Sequence, residues 1–272
     1  MECGGQNLLL GTRTYIMGIL NITPDSFSDG GAFINIEKAV KHAKEMVAQG
    51  ADIIDIGGES TRPGANAVEA EEEVARILPV IKKLLKEINV PISVDTYKSR
   101  VADTVLKAGV DMINDVWGLQ RDPHMAGLVA KYKVPIVIMH NQYGTEYKKD
   151  IIEAIKDFFN ESINIGLSGG IKKENIILDP GIGFGKDLEQ NLQVMGRLGE
   201  FNNLGHPMLL GTSRKSMIGQ ALELPVEERL EGTLATSVMG IIQGVDILRV
   251  HDIKENVRVA RLTDRIVRVK NG

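Results

Sequence analysis

The stretch Asp246-Ile247-Leu248-Arg249-Val250-His251-Asp252 sets two potential cations two residues apart. In an extended strand side chains alternate between faces, so Arg249 and His251 share one face and Leu248 and Val250 the other. Two cationic groups side by side at a strand end make a clamp for an anion. Asp252 would cap a following helix, whose N-terminus adds partial positive charge. The competing reading pairs Arg249 with a nearby carboxylate and leaves His251 incidental. The same alternation groups Ser93 with Asp95, Met112 with Asn114, and Ile177 with Asp179. If those faces look inward, two carboxylates and an amide converge in an apolar site. Buried carboxylates are costly unless fixed donors reach them. A flat ring with adjacent amino and N–H groups, as in a 2-aminopyrimidinone, supplies such donors. Backbone amides or Lys215 would serve the same carboxylates without any ligand.

Polar residues recur wherever a strand-like run ends: Asn21, Asp55, Asp95, Asn114 with Asp115, His140, Asp179, Ser213-Arg214-Lys215, and Arg249 with His251. The opposite ends are plainer, with Pro91, Pro135 and Pro207 starting runs. Two glycine-rich loops follow the first two runs, NITPDSFSDGGAF (21–33) and GGESTRPGA (57–65). Both mix hydroxyls and acids with residues that free or fix the backbone, as lids that order around a substrate do. A third, DPGIGFGK (179–186), lacks the G-x-x-x-x-G-K-[ST] spacing of a P-loop.

These residues need elements to hold them. Short runs rich in Ile, Val and Leu lie at 14–20, 52–57, 91–95, 111–115, 135–140, 175–179, 207–212 and 246–250. Near absence of charge inside them suits parallel strands buried on both faces. Between them the 3.6-residue period predicts helices. The first is capped by Asn35 and stopped by Gly50, and the second is interrupted at Pro79, where the ring should kink or break it. Further helices are expected near 98–108, 122–132, 150–167, 187–203, 225–243 and 253–268. Eight strand–helix units with right-handed crossovers predict an α/β fold, a single-domain (β/α)8 barrel with its site at the carboxyl ends of the strands. A doubly wound open sheet is the alternative, because counting strands does not show closure. No G-x-G-x-x-G opens the first helix, which argues against a dinucleotide-binding version. Residues 1–13 read as an N-terminal extension.

With 272 residues, 43% apolar and 25% charged, the composition is that of a soluble globular domain. A net charge of −4 argues against a nucleic-acid surface, so an anionic substrate must be met by local basic residues. One cysteine makes no internal disulfide, and no apolar run reaches the roughly 18 residues of a membrane helix. The first residues lack the basic start and apolar length of a signal peptide, so a cytoplasmic location is expected. His42, His124 and His206 read as surface or structural residues, and Trp117 as either a site-mouth or a packing residue.

In order and spacing, MGILNITPDSFSDGG, GADIIDIGGESTRPGA, ISVDTYK, INDVWG, LDPGIGFGK, GTSRKS and RVHD resemble the motifs of the dihydropteroate synthase family, over residues 17–252. The resemblance implies a TIM barrel that joins 7,8-dihydropterin-6-ylmethyl diphosphate to p-aminobenzoate with Mg²⁺, releasing pyrophosphate. It implies pterin contacts from Asp95, Asn114, Met139, Asp179 and Lys215. It implies diphosphate contacts from Asn21, Thr61, Arg249, Val250 and His251, with Asn21 and Asp29 on the metal. Phe27, Ser28, Arg62, Pro63, Phe184, Lys215 and Ser216 match the p-aminobenzoate pocket, and Asp29, Thr61, Lys215, Arg249 and His251 are the residues closest to the chemistry. Its members form homodimers through the last part of the barrel. The segment MHNQYGTEYKKD (139–150) departs from many relatives. Two other readings stand beside this one. A methyltetrahydrofolate–corrinoid methyltransferase shares the barrel and the pterin acids but needs neither STRPG nor SRKS. A non-catalytic pterin-binding subunit would be expected to carry degenerate lid loops.

Overall fold

The computed structural model describes residues 1–22, 32–59 and 68–268, with residues 32–35 as backbone only. A short antiparallel hairpin, β1 (Glu2–Cys3) with β2 (Gln6–Asn7), opens the chain. Parallel strands follow: β3 (Tyr15–Asn21), β4 (Ile53–Gly57), β5 (Ile92–Asp95), β6 (Met112–Asp115), β7 (Ile136–Met139), β8 (Ile176–Asp179), β9 (Leu209–Leu210) and β10 (Ile247–Val250). They pair in the order β8-β7-β6-β5-β4-β3-β10-β9. A parallel bridge from Leu178 to Met208, with Leu178 N donating to Pro207 O at 2.9 Å, joins β8 to β9. The sheet therefore closes on itself as a (β/α)8 TIM barrel, and the open-sheet alternative falls.

Alternation along each strand builds two cores. Outward residues such as Ile54, Ile56, Val94, Ile113 and Val250 pack beneath the helices. Inward residues Met17, Ile53, Met112, Val137, Ile177, Leu209 and Ile247 fill the barrel near its amino end. Cys3 and Leu8 join that inner cluster, and Gly11 N donates to Asp246 Oδ1 at 2.7 Å. Residues 1–13 are thus a plug for the barrel floor, more than an extension.

The described helices are α1 (Ala32–Gln49), α2 (Ala70–Glu87), α3 (Ser99–Ala108), α4 (Met125–Tyr132), α5 (Ile151–Ser168), α6 (Leu188–Gly196), α7 (Ser216–Leu222), α8 (Leu230–Ile242) and α9 (Ile253–Val267). Four depart from expectation. The first begins at Ala32, so Asn35 lies inside it and is no cap. The second runs unbroken through Pro79. Both Pro79 and Ala75, whose carbonyl loses its partner, lie on the exposed face, while Ile77, Val80, Ile81 and Leu84 bury the other. Water can satisfy that carbonyl, and burial outweighs one missing bond. The span 187–203 divides into α6 and a 3₁₀ stretch, Leu198–Leu204. The short α7 was not anticipated.

Gly18 lets two helices close on β3. A Cβ there would lie 2.9 Å from Met46 Sδ on α1 and 3.1 Å from Ile253 Cδ1 on α9. Gly18→Ala should therefore lower the unfolding free energy by about 1–3 kcal/mol through overpacking. A urea titration reads this as a lower midpoint at constant slope, and an unchanged midpoint would show that α9 shifts freely.

Candidate active site

One step above the barrel filling, six of the eight strands bring a polar side chain inward. Met17 gives way to Ile19 and Asn21, Ile53 to Asp55 and Gly57, and Ser93 to Asp95. Met112 gives way to Asn114, Val137 to Met139, Ile177 to Asp179, Leu209 to Gly211, and Ile247 to Arg249. Pairing register brings them level: Asp95 faces Asn114, Met139 faces Asp179, and Gly57 lies beside both Asn21 and Asp95.

Arg249 reaches across this layer. Its Nε donates to Asp55 Oδ2 at 2.6 Å and its Nη2 to Asp95 Oδ2 at 2.9 Å. The carboxylate-pairing reading of Arg249 is therefore correct as far as it goes, and two of its five N–H groups are committed. Asn114 Nδ2 donates to Asp55 Oδ2 at 3.2 Å. A carboxylate only accepts, so the amide nitrogen faces Asp55 and Asn114 Oδ1 is turned the other way. Asp55 Oδ1, Ser93 Oγ, Asp95 Oδ1 and Asn114 Oδ1 are buried without a protein partner. A group of buried acceptors left unmatched is what a ligand rich in N–H donors would complete.

Lys215 enters from the turn after β9 and passes Gly211 at ordinary contact distance. A Cβ at Gly211 would lie 3.9 Å from Lys215 Nζ. Its ammonium donates to Ile182 O and stands 4.7 Å from the centre of the Phe184 ring. Asp179 Oδ1 accepts from Gly181 N at 2.8 Å. Burial pushes the Asp95 carboxyl up to about 7, against the pull of Arg249 and with the push of Asp55. Burial raises Asp179 as well, opposed by Lys215. Lys215 is lowered to about 8 by burial, with Asp179 opposing the fall. Burial works against the charge of Arg249, but Asp55 and Asp95 hold its pKa above the ordinary value.

At the rim, Ser213 Oγ lies 3.1 Å from His251 N and 3.0 Å from His251 Nδ1. The hydroxyl accepts from the backbone N–H, and its bond with Nδ1 runs in the direction the imidazole tautomer sets. Asp252 does not cap α9: Arg214 Nε takes it at 2.9 Å, and no side-chain cap bond forms. Val250 packs outward in the core, so only its backbone faces the site. Ser216 begins α7 beside Lys215. Asp115 accepts from Trp117 N and Leu119 N at 2.8 Å each and shapes a turn. His140 points away from the barrel interior, 2.9 Å from Lys186 Nζ. The 140–150 segment lies over the β8–α6 loop, with Tyr147 Oη donating to Gly185 O at 2.9 Å.

Phe27, Ser28, Asp29, Thr61, Arg62 and Pro63 lie outside the described residues. The second loop's flanks are held firmly. Lys98 Nζ binds Glu59 and, at 2.6 Å, Glu73; Glu59 Oε1 accepts from Val68 N at 3.2 Å; Arg76 Nη1 donates to Gly58 O at 2.8 Å. Sequence reasoning gave Asp55 no role, although its place between Ile53 and Gly57 on the inward face was visible. Lys98, Glu73 and Arg76 carried no signal, because they meet only when α2 packs beside the β5 end.

A family model described as pterin binding enzyme matches residues 17–251. The chain belongs to this class of barrel enzymes. A dihydropteroate synthase from Clostridium beijerinckii is 57% identical over 269 residues, covering 98% of this chain and 100% of that protein. Among solved structures, a Clostridium difficile dihydropteroate synthase in the presence of pteroic acid is 61% identical, with a TM-score of 0.95 over 96% of this chain and 100% of the other. One from Xanthomonas albilineans with 4-aminobenzoic acid is 40% identical, with a TM-score of 0.93 over 98% of each chain. Within the class, the chain is a member of the dihydropteroate synthase family.

The Asp95 shift has a measurable sign. Its folded-state pKa of about 7 lies above the roughly 3.9 of an unfolded chain. Between those values the folded state holds a proton the unfolded state has lost, so ligand-free stability falls as pH rises toward 7. Asp95→Asn should stand closest to the parent near pH 3.5, and its Tm relative to the parent should rise by a few degrees from there to pH 7 and then level off. A Tm difference independent of pH would show that the carboxyl ionises without cost.

Proposed function

We propose that this site condenses 7,8-dihydropterin-6-ylmethyl diphosphate with p-aminobenzoate to give 7,8-dihydropteroate and pyrophosphate. The observation that carries the reading is the cluster of inward acceptors without protein partners, Asp95 Oδ1 and Asn114 Oδ1, beside the Asp179 carboxylate. A pterin presents a 2-amino group and ring N–H groups along one flat edge, which is the donor pattern these acceptors lack. Met139 supplies an apolar contact below the ring, and Lys215 a donor for the pterin's carbonyl edge.

In the reaction the arylamine nitrogen forms a bond to the pterin methylene as the carbon–oxygen bond to diphosphate breaks. The bonding pair leaves with diphosphate, and the nitrogen gives up one proton. The dihydropterin ring is electron-rich, so positive charge on the methylene spreads into it and bond cleavage can run ahead of attack. Asp95 and Asp179 orient the ring and favour that charge. Arg249, held by two carboxylates, keeps uncommitted N–H groups for the negative charge building on the leaving group, and His251 stands at the same rim. An arylamine is neutral at pH 7, so no strong base is required.

Mg²⁺ fits the donors available. Among the described residues no group of three His, Cys, Asp or Glu could hold a metal. Asn21 offers an amide oxygen 3.4 Å from where a Gly57 side chain would begin, and the sequence adds the Asp29 carboxylate. Mg²⁺ takes few protein oxygens and keeps water and phosphate ligands, so these two would hold it against the diphosphate, where it would neutralise leaving-group charge. Phe184, Lys215 and Ser216, with Phe27, Ser28, Arg62 and Pro63 from the two loops and Thr61 beside the diphosphate, complete the proposed pockets. Met239 and Ile242 on α8 and Leu262 and Ile266 on α9 are 46–68% exposed and offer an apolar face to a second copy, which supports a homodimer.

Purified protein should form dihydropteroate only with both substrates and Mg²⁺ present, and pyrophosphate released without p-aminobenzoate would show that C–O cleavage comes first. Tight pterin binding without product under those conditions would instead support a binding subunit.

A further inference from the structure

The loop between β8 and α6 turns repeatedly. Gly181, Gly183 and Gly185 all adopt left-handed backbone, with φ of 66°, 84° and 56°. Three of its carbonyls are taken by two lysines. Lys215 Nζ donates to Ile182 O. Lys186 Nζ donates to Gly181 O at 2.9 Å and Phe184 O at 3.0 Å, and lies 2.9 Å from His140 Nδ1. Burial lowers the Lys186 pKa to about 7, with Asp179 opposing the fall; in its ammonium form it has three donors and no acceptor, so Nδ1 then accepts and the ring proton sits on Nε2. Lys186 is 8% exposed and His140 2%. All three donors of Lys186 are spent inside the protein, leaving none for a ligand. Burial holds His140 neutral, lowering its pKa to about 2.

What these bonds fix is the far wall of the site. Gly181 N orients the Asp179 carboxylate at 2.8 Å, and Gly183 N is tied to Asn191 Oδ1 at 2.7 Å. Between the two carbonyls that Lys186 holds lie Ile182, whose carbonyl positions Lys215, and the backbone of Phe184, whose ring faces the same ammonium. No side chain is tolerated at the crossing with β7, since a Cβ on Gly181 would sit 2.0 Å from His140 O.

We propose that Lys186 and His140 form a positioning pair that sets the places of Phe184 and Lys215, and through them the affinity for the arylamine, without touching either substrate. The inference rests on the reading of Phe184 and Lys215 as the arylamine wall. Asp95 and Asn114 stand on other strands, so the pterin, which shares only Lys215 and Asp179 with this wall, loses less than the arylamine.

Steady-state kinetics with both substrates, on the full chain with Mg²⁺, tests this. Lys186→Met and His140→Phe each remove one side of the pair. Both should raise KM for p-aminobenzoate about tenfold or more, the scale of one to two lost charge-assisted bonds. KM for the dihydropterin diphosphate and kcat should each change several-fold less than KM for p-aminobenzoate, since the pterin keeps Asp95 and Asn114. His140→Asn, whose amide oxygen can accept in place of Nδ1, should recover most of the loss. An unchanged p-aminobenzoate KM in both variants overturns the proposal. So does an equal loss in kcat and both KM values, or no recovery with asparagine. If Lys186→Met does not fold, the contrast between His140→Phe and His140→Asn decides. Failure of the parent protein to condense the substrates would count against the function itself, not against the positioning pair.

Discussion

Everything at the carboxyl end of this barrel depends on one guanidinium placed between two buried carboxylates. Asp55 is fully buried and Asp95 nearly so, and Arg249 contacts both. Two such acids a strand apart would repel each other in a low-dielectric interior. A cation shared between them makes the layer tolerable, yet buried ion pairs seldom add net stability over apolar packing. Their worth lies in what they fix. Asp55 orients both Arg249 and the Asn114 amide, so that the carboxylate and amide oxygens left over point to one place.

The barrel turns this local arrangement into a binding surface. Its floor is apolar and sealed by the hairpin at the chain start, so the polar layer above it is a shelf with one open side. Size alternation does the rest. Gly57 and Gly211 stand where other inward positions carry side chains, with Asn21 beside the one and Lys215 beside the other. The site is thus built from strands, and the loops around it are held by buried ion pairs at their bases, as at Lys98 with Glu59 and Glu73.

Much of this was legible in the sequence, for a stated reason. The two-residue period of a strand does not depend on context, so the shared faces of Arg249 with His251, Ser93 with Asp95 and Ile177 with Asp179 follow from the chain alone. The family motifs run nearly end to end. What was not legible depends on partners distant in sequence. Asp252 looks like a helix cap until Arg214 claims it. Pro79 looks like a helix break until burial on the opposite face of α2 outweighs the lost bond. Lys186 and His140 are 46 residues apart, and nothing in either segment shows that the β7 and β8 ends bring them together.

The central claim is that the inward acceptors recognise the donor edge of a pterin. Titration calorimetry of 6-hydroxymethyl-7,8-dihydropterin against its analogue with oxygen replacing the 2-amino group tests it most directly. The swap turns a donor into an acceptor facing carboxylate and amide oxygens. The account predicts that the 2-oxo compound binds at least about a hundredfold more weakly, because a site built to accept N–H donors rejects a ligand that lacks one. Equal affinity for the two compounds would contradict it.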